Sequence, residues 1–140
     1  MTEPTPAPEP ALETAPAQRA SWAGDLLPSL ALLAILAIAA YLRFTGLNWD
    51  ALTHIHPDER FLTMGESGIA IPEDLGAYFD TATSPLNPNN RGYGFFVYGT
   101  LPIFLVRFIA EAIQQKGYDE VHLVGRAASA AFDLISVWLV

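Results

Sequence analysis

Residues 26–42, LLPSLALLAILAIAAYL, carry no charge and constrain the chain more than any other feature. A run this long and uniformly apolar predicts a transmembrane helix, and we place that helix at 23–46. Pro28 stands near the start of the run, where a helix tolerates it. Tyr41, Phe44 and Trp49 suit the membrane–water interface, and Arg43 is able to snorkel toward it. A cleaved signal peptide fits poorly, because the preceding segment is long and acidic rather than short and basic. A buried helix of a soluble protein is the other alternative, and the uniform apolarity weighs against it.

Two further apolar runs, at 93–106 and 121–140, are separated from the first by polar sequence. Alternation on this scale predicts a membrane protein with a substantial loop rather than one globular core. The expected class is an all-α integral membrane protein. Residues 1–22, rich in Pro, Ala, Glu and Thr, form a disordered tail. Residues 47–94 form an extracytoplasmic loop, and 95–116 a juxtamembrane or re-entrant helix. Residues 119–140 begin a second transmembrane helix. The uncharged stretch before Arg107 is short and contains Pro102, which favours a helix lying on the bilayer surface; a tilted span is the alternative. Arg107 and Glu111 are spaced to pair on one helix face. Ala127, Ala128, Ser129, Ala130 and Ala131 permit close helix packing, and Asp133 should face protein or a wet cavity rather than lipid. The chain stops within an apolar segment, which is expected of the N-terminal part of a longer polytopic protein.

Composition removes several functional classes. With a net charge of −8 the chain lacks the basic patch that nucleic acid requires, and nucleic acid is not an expected partner. Cysteine is absent, so thiolate metal sites and disulfides are excluded. No cofactor and no metal site is read from the sequence. His54 and His56 with Asp58 offer the one metal-like spacing, but no further ligand cluster accompanies them.

The ionisable residues concentrate in the loop, at HIHPDERF (54–61). Pro57 suits a first helical turn, and Asp58 and Glu59 then lie at the positive end of the helix dipole. Adjacent helical side chains diverge by about 100°, so one acid addresses a site while the other supports it. A carboxylate there is a good general base for a hydroxyl or amine acceptor. Arg91, Arg107 and Arg126 are candidate partners for a phosphate. Arg91 also reads as a solvated loop charge, and His56 as a loop residue that touches substrate or nothing. Tyr93, Phe95 and Phe96 read as an interfacial aromatic belt, and the glycines at 65, 68 and 76 as points of movement. The segment SPLNPNNRGYG (84–94) marks turns.

A hydrophobic span followed by HPDERF, then YGTLP (98–102), then GRAASA (125–130) resembles the GT-C glycosyltransferases. It is most similar to their family 39 branch, related to protein O-mannosyltransferases and aminoarabinose transferases. The resemblance covers residues 26–140 and rests on the order and spacing of the motifs. It implies an inverting transferase that moves a sugar from a polyprenyl-phosphate donor to a protein, lipid or glycan acceptor. Asp58 would be the catalytic base and Glu59 a structural or acceptor-orienting acid. Arg126 would fix the loop or the lipid phosphate. Tyr98 stands where relatives often carry a lysine or histidine, which weakens the donor-side contact. The resemblance also implies a plasma-membrane, multi-pass protein with a cytoplasmic N-terminus, inactive as an isolated fragment. Two rivals of other classes are a non-enzymatic membrane subunit with an acidic partner-binding loop and a transporter fragment using Asp133.

Overall fold

The computed structural model describes residues 22–140, with side chains from residue 26 onward. The expected disordered tail, apart from its last residue, lies outside the described residues. Five α-helices follow in order: α1 (Trp22–Phe44), α2 (Pro57–Gly68), α3 (Leu75–Phe79), α4 (Thr100–Ala112) and α5 (Tyr118–Leu139). A 3-10 turn occupies Pro88–Arg91, and no strand occurs among the described residues.

Helix α1 contains a segment, Leu26–Phe44, long and apolar enough to cross a membrane, and none of it is buried by the rest of the chain. Its leucines and isoleucines point outward along most of its length. Pro28 lies inside the helix rather than at its start, because α1 already begins at Trp22. There it removes one backbone donor from the ladder. Helix α5, expected to open a second span, is nearly as long. It carries Asp119, Glu120, Arg126 and Asp133, and α1 alone among the described residues has the length and composition of a span.

Helix α5 is the hub, since α1, α2 and α4 all pack against it. Burial runs from its start to Ala130: Val121, His122, Val124 and Ala130 are buried, while Phe132, Ile135 and Trp138 are exposed. One core joins α4 to α5 through Val106, Ala110, Val121 and Val124, with Ile109 and Ala128 against it. Ala128 thus supplies close packing of the kind expected of the small-residue stretch. A second core lies where the loop folds over α4, with Ile69, Leu86 and Ile103 fully buried beside Leu62, Phe96 and Phe104. Each such side chain contributes about 1.5–3 kcal/mol when fully buried. Pro102 sits in the first turn of α4, where a missing N–H costs nothing.

The loop holds more structure than its turn-rich composition implies. Asp80 accepts from the Ala82 N–H and the Thr83 hydroxyl. Asn90 donates to the carbonyls of Thr81 and Ser84, and Asn87 to that of Thr81. Leu86, fully buried, anchors this self-bonded cluster to the second core. Two sequence expectations fail here. A Cβ on Gly68 would come within 2.9 Å of the Tyr93 ring, so this glycine serves close packing rather than movement. Tyr93 and Phe96 form no exposed belt. With Phe61 and Tyr98 they make one cluster, ring centroids about 6 Å apart, and the Tyr93 hydroxyl donates to the Met64 carbonyl at 2.7 Å. Of Tyr93, Phe95 and Phe96, only Phe95 points out.

Candidate functional site

Where α1 ends, α2 crosses α5 and the two helices enclose, with the start of α4, a cavity of about 860 Å³. The sequence places α2 there through its cap. His56 occupies the N-cap and its Nδ1 accepts from the Glu59 N–H, while Pro57 takes the first helical position. Glu59, Leu62, Thr63 and Glu66 recur at helical spacing and all line the cavity. Thr63 is buried, with its hydroxyl donating to the Glu59 carbonyl at 2.8 Å.

Arg126 of α5 organises the wall. Its Nε donates to Glu59 Oε1 at 2.5 Å and its Nη2 to Oε2 at 2.9 Å, a two-pronged pair. Its Nη1 donates to Asp50 Oδ1 at 3.0 Å and to the Leu47 carbonyl at 2.6 Å. The Trp49 ring covers the guanidinium, 5.2 Å from its centroid. One guanidinium thereby ties α5 to both ends of the 47–59 segment. The hydrogen bond from Arg126 holds the Asp50 carboxyl down at about 2, and the same group lowers that of Glu59. Both acids are therefore poor proton acceptors at neutral pH.

The backbone that delivers Asp50 is strained. Ala51, Leu52 and His54 adopt φ of 49°, 65° and 48°, a region costly for residues with a Cβ. Asp50 Oδ2 accepts from the His54 N–H, and Asn48 Oδ1 accepts from the Leu52 N–H. These bonds hold the turn closed and send His54 inward, where it lies 4.4 Å from the rings of Tyr118 and His122 and contacts Asp119 at 3.1 Å. His54 and His56 therefore serve different elements. No group of three or more metal-ligating side chains occurs among the described residues.

Asp58 is exposed and outside the cavity lining, and it lies against the Tyr98 hydroxyl, whose pKa it raises. Tyr98 does line the cavity, so Asp58 stands at the rim and Glu59 in the wall. His56 is a capping residue outside the lining. Arg91 is not brought to the cavity, since its Nε donates to the Pro85 carbonyl within the turn cluster. Arg107 pairs with Glu111 at 3.1 Å, but it is buried and its Nη1 donates to the carbonyls of Glu66 and Ser67. It is thus a strut under the C-terminal end of α2 rather than a free phosphate ligand.

No protein-family model matches the chain, and no curated protein and no solved structure is found to be similar to it. The geometry stands alone.

Three cavity residues escaped the sequence reading in their roles. Arg43 and Asp133 form an ion pair across α1 and α5, so Asp133 is not an acid without a partner. Glu66 went unremarked because a lone glutamate on a polar helix gives no signal. It is buried, lies beside Gly125 of α5, and has no hydrogen-bond or ion-pair partner among the described residues. Burial, with the nearby Glu59 charge, pushes its carboxyl up to about 8.

Proposed function

We propose that the chain forms part of an integral-membrane glycosyltransferase of GT-C type, acting on a polyprenyl-phosphate sugar donor. The observation that carries this reading is the position of the cavity. It opens at the end of a membrane-length apolar helix, with guanidinium groups and Glu59 in its wall and Asp58 at its rim beside Tyr98. A lipid-linked phosphate needs access from the bilayer, and its transfer chemistry needs a base beside a charged wall. Glu59 is committed to Arg126, which leaves Asp58 as the carboxylate able to act. Asp58 takes the proton of an acceptor hydroxyl or amine. The acceptor attacks the sugar C1, the C1–O bond to the lipid phosphate breaks, and the lipid phosphate leaves with inversion. Helix α1 spans the plasma membrane from a cytoplasmic N-terminus, and residues 47–94 lie outside.

Sugar transfer from polyprenyl-phosphate donors, assayed in native membranes, tests the chemistry. Asp58→Asn in the native gene product should lower turnover by about 100-fold or more. Unchanged transfer would remove Asp58 from the mechanism. The orientation is tested with a cysteine introduced into this sequence, which contains none, against the unsubstituted protein as the labelling background. Glu73→Cys, at an exposed loop position, should react with an impermeant maleimide added outside intact cells. Labelling only after lysis would reverse the topology. The transporter rival loses support from the Arg43–Asp133 pair, since it alone drew on Asp133.

A further inference from the structure

We propose that Glu66 reads a hydroxyl of a neutral, polyol-like group held in the cavity, which on the glycosyltransferase reading is the donor's sugar ring. The charged side chains lining the cavity are otherwise matched to one another. Arg126 is saturated by Glu59 and Asp50, and Arg43 is charge-matched by its one contact with Asp133. Two titratable residues of the lining remain, Glu66 and His122; Glu66 is the acid, it is only 7% exposed, and its carboxyl has no partner among the described residues, while both ring nitrogens of His122 also lack one there. A buried polar group without a partner costs free energy that a ligand recovers by supplying one.

The surroundings select the chemistry of that ligand. On α2 itself Glu59 faces the same space. From α5 come Arg126 and His122 and from α1 Arg43, while Arg107 of α4 lies outside the lining with its guanidinium on the Glu66 backbone carbonyl. No group of three or more metal-ligating side chains among the described residues gathers there to seat a cation. The Glu59 charge close by disfavours an added anion. A hydroxyl both donates and accepts, and a neutral carboxyl offers the same two capacities. The raised pKa of Glu66 agrees with a carboxyl kept neutral for this purpose. A phosphate is better placed toward the Arg43 side of the cavity, where that side chain is more than half exposed.

The test is binding to the native gene product in detergent, using citronellyl phosphate and its mannosyl, glucosyl and galactosyl esters. The wild type should bind at least one ester more tightly than the bare phosphate. Glu66→Ala should erase that preference, by about tenfold, while leaving affinity for the bare phosphate unchanged. Glu66→Gln keeps both a donor and an acceptor and should retain the preference. Equal wild-type affinity for ester and bare phosphate would overturn the proposal. So would a Glu66→Gln loss as large as that of Glu66→Ala, which would mean that the ionised carboxylate is what binds. Equal weakening of both probes by Glu66→Ala would overturn it as well. If the wild type binds neither probe, the glycosyltransferase reading falls separately. Free mannose then decides: it should shift the protonated-carboxyl infrared band that Glu66→Gln removes, and an unshifted band would overturn the hydroxyl assignment.

Discussion

Two arginine–carboxylate associations line the same cavity, and they are built differently. Arg126 is 12% exposed, meets Glu59 and Asp50 with every arm of its guanidinium, and adds a backbone carbonyl and an aromatic face. Arg43 is 58% exposed and meets Asp133 alone, at 40% exposure. The first is a joint that binds three chain segments, and removing its centre strands two acids. The second is a single contact whose members remain open to a ligand. Burial and the number of bonds, rather than the identity of the residues, separate a structural pair from an available one.

The sharpest way to break this comparison is to remove each arginine. Arg126→Met should cost about 3 kcal/mol or more, read as a lowered thermal midpoint in detergent with faster proteolysis within 47–68. Arg43→Met should cost less than about 1 kcal/mol. Equal losses would end the distinction.

Next in size is the pH dependence around Glu66. Its folded pKa, about 8, lies above the ordinary 4.5, so the native state binds more protons between those values. Stability therefore falls as pH rises through that window. Glu66→Gln should abolish this slope, raising the thermal midpoint at pH 8 while leaving it unchanged at pH 4. A wild-type midpoint that is flat from pH 5 to 8 would contradict a buried neutral carboxyl.

Asp50 and Glu59 carry the opposite sign. Their folded pKa values are lowered by Arg126, so the stability they contribute is present above their ordinary values. It is lost as pH falls, for Asp50 between 3.8 and about 2. Arg126→Met should remove this acid limb, as followed by circular dichroism across that range. The smallest effect is expected in the strained turn. Ala51→Gly should raise stability by a few tenths to about 1 kcal/mol, since glycine accepts the positive φ of 49° without steric cost. A loss on the same thermal scan would mean that the turn is not strained in solution.

Several elements of the fold are legible in the chain. The apolar run before Arg43, the proline-led start of α2 and the Arg107–Glu111 spacing all depend on neighbours within a few residues. The candidate site is legible only in part. The identity of Arg126 and Glu59 as notable residues came from motif order, whereas their direct pairing crosses 67 positions of sequence. Arg91 and Arg126 look alike in one dimension. A turn cluster ties the first to Pro85, and helix crossing carries the second into the cavity wall.

By itself the sequence determined the helical segments other than the short α3, and the membrane-length character of α1, because periodicity, charge exclusion and capping act over one or two turns. It also determined that Asp58 and Glu59 must face apart, because adjacent helical side chains cannot converge. Only the tertiary structure decided which of the two acids Arg126 would claim, that Arg43 answers Asp133, and that Glu66 is buried with no partner. Those outcomes depend on how α1, α2 and α4 close on α5, and burial and distant pairing are properties of that packing rather than of any local stretch.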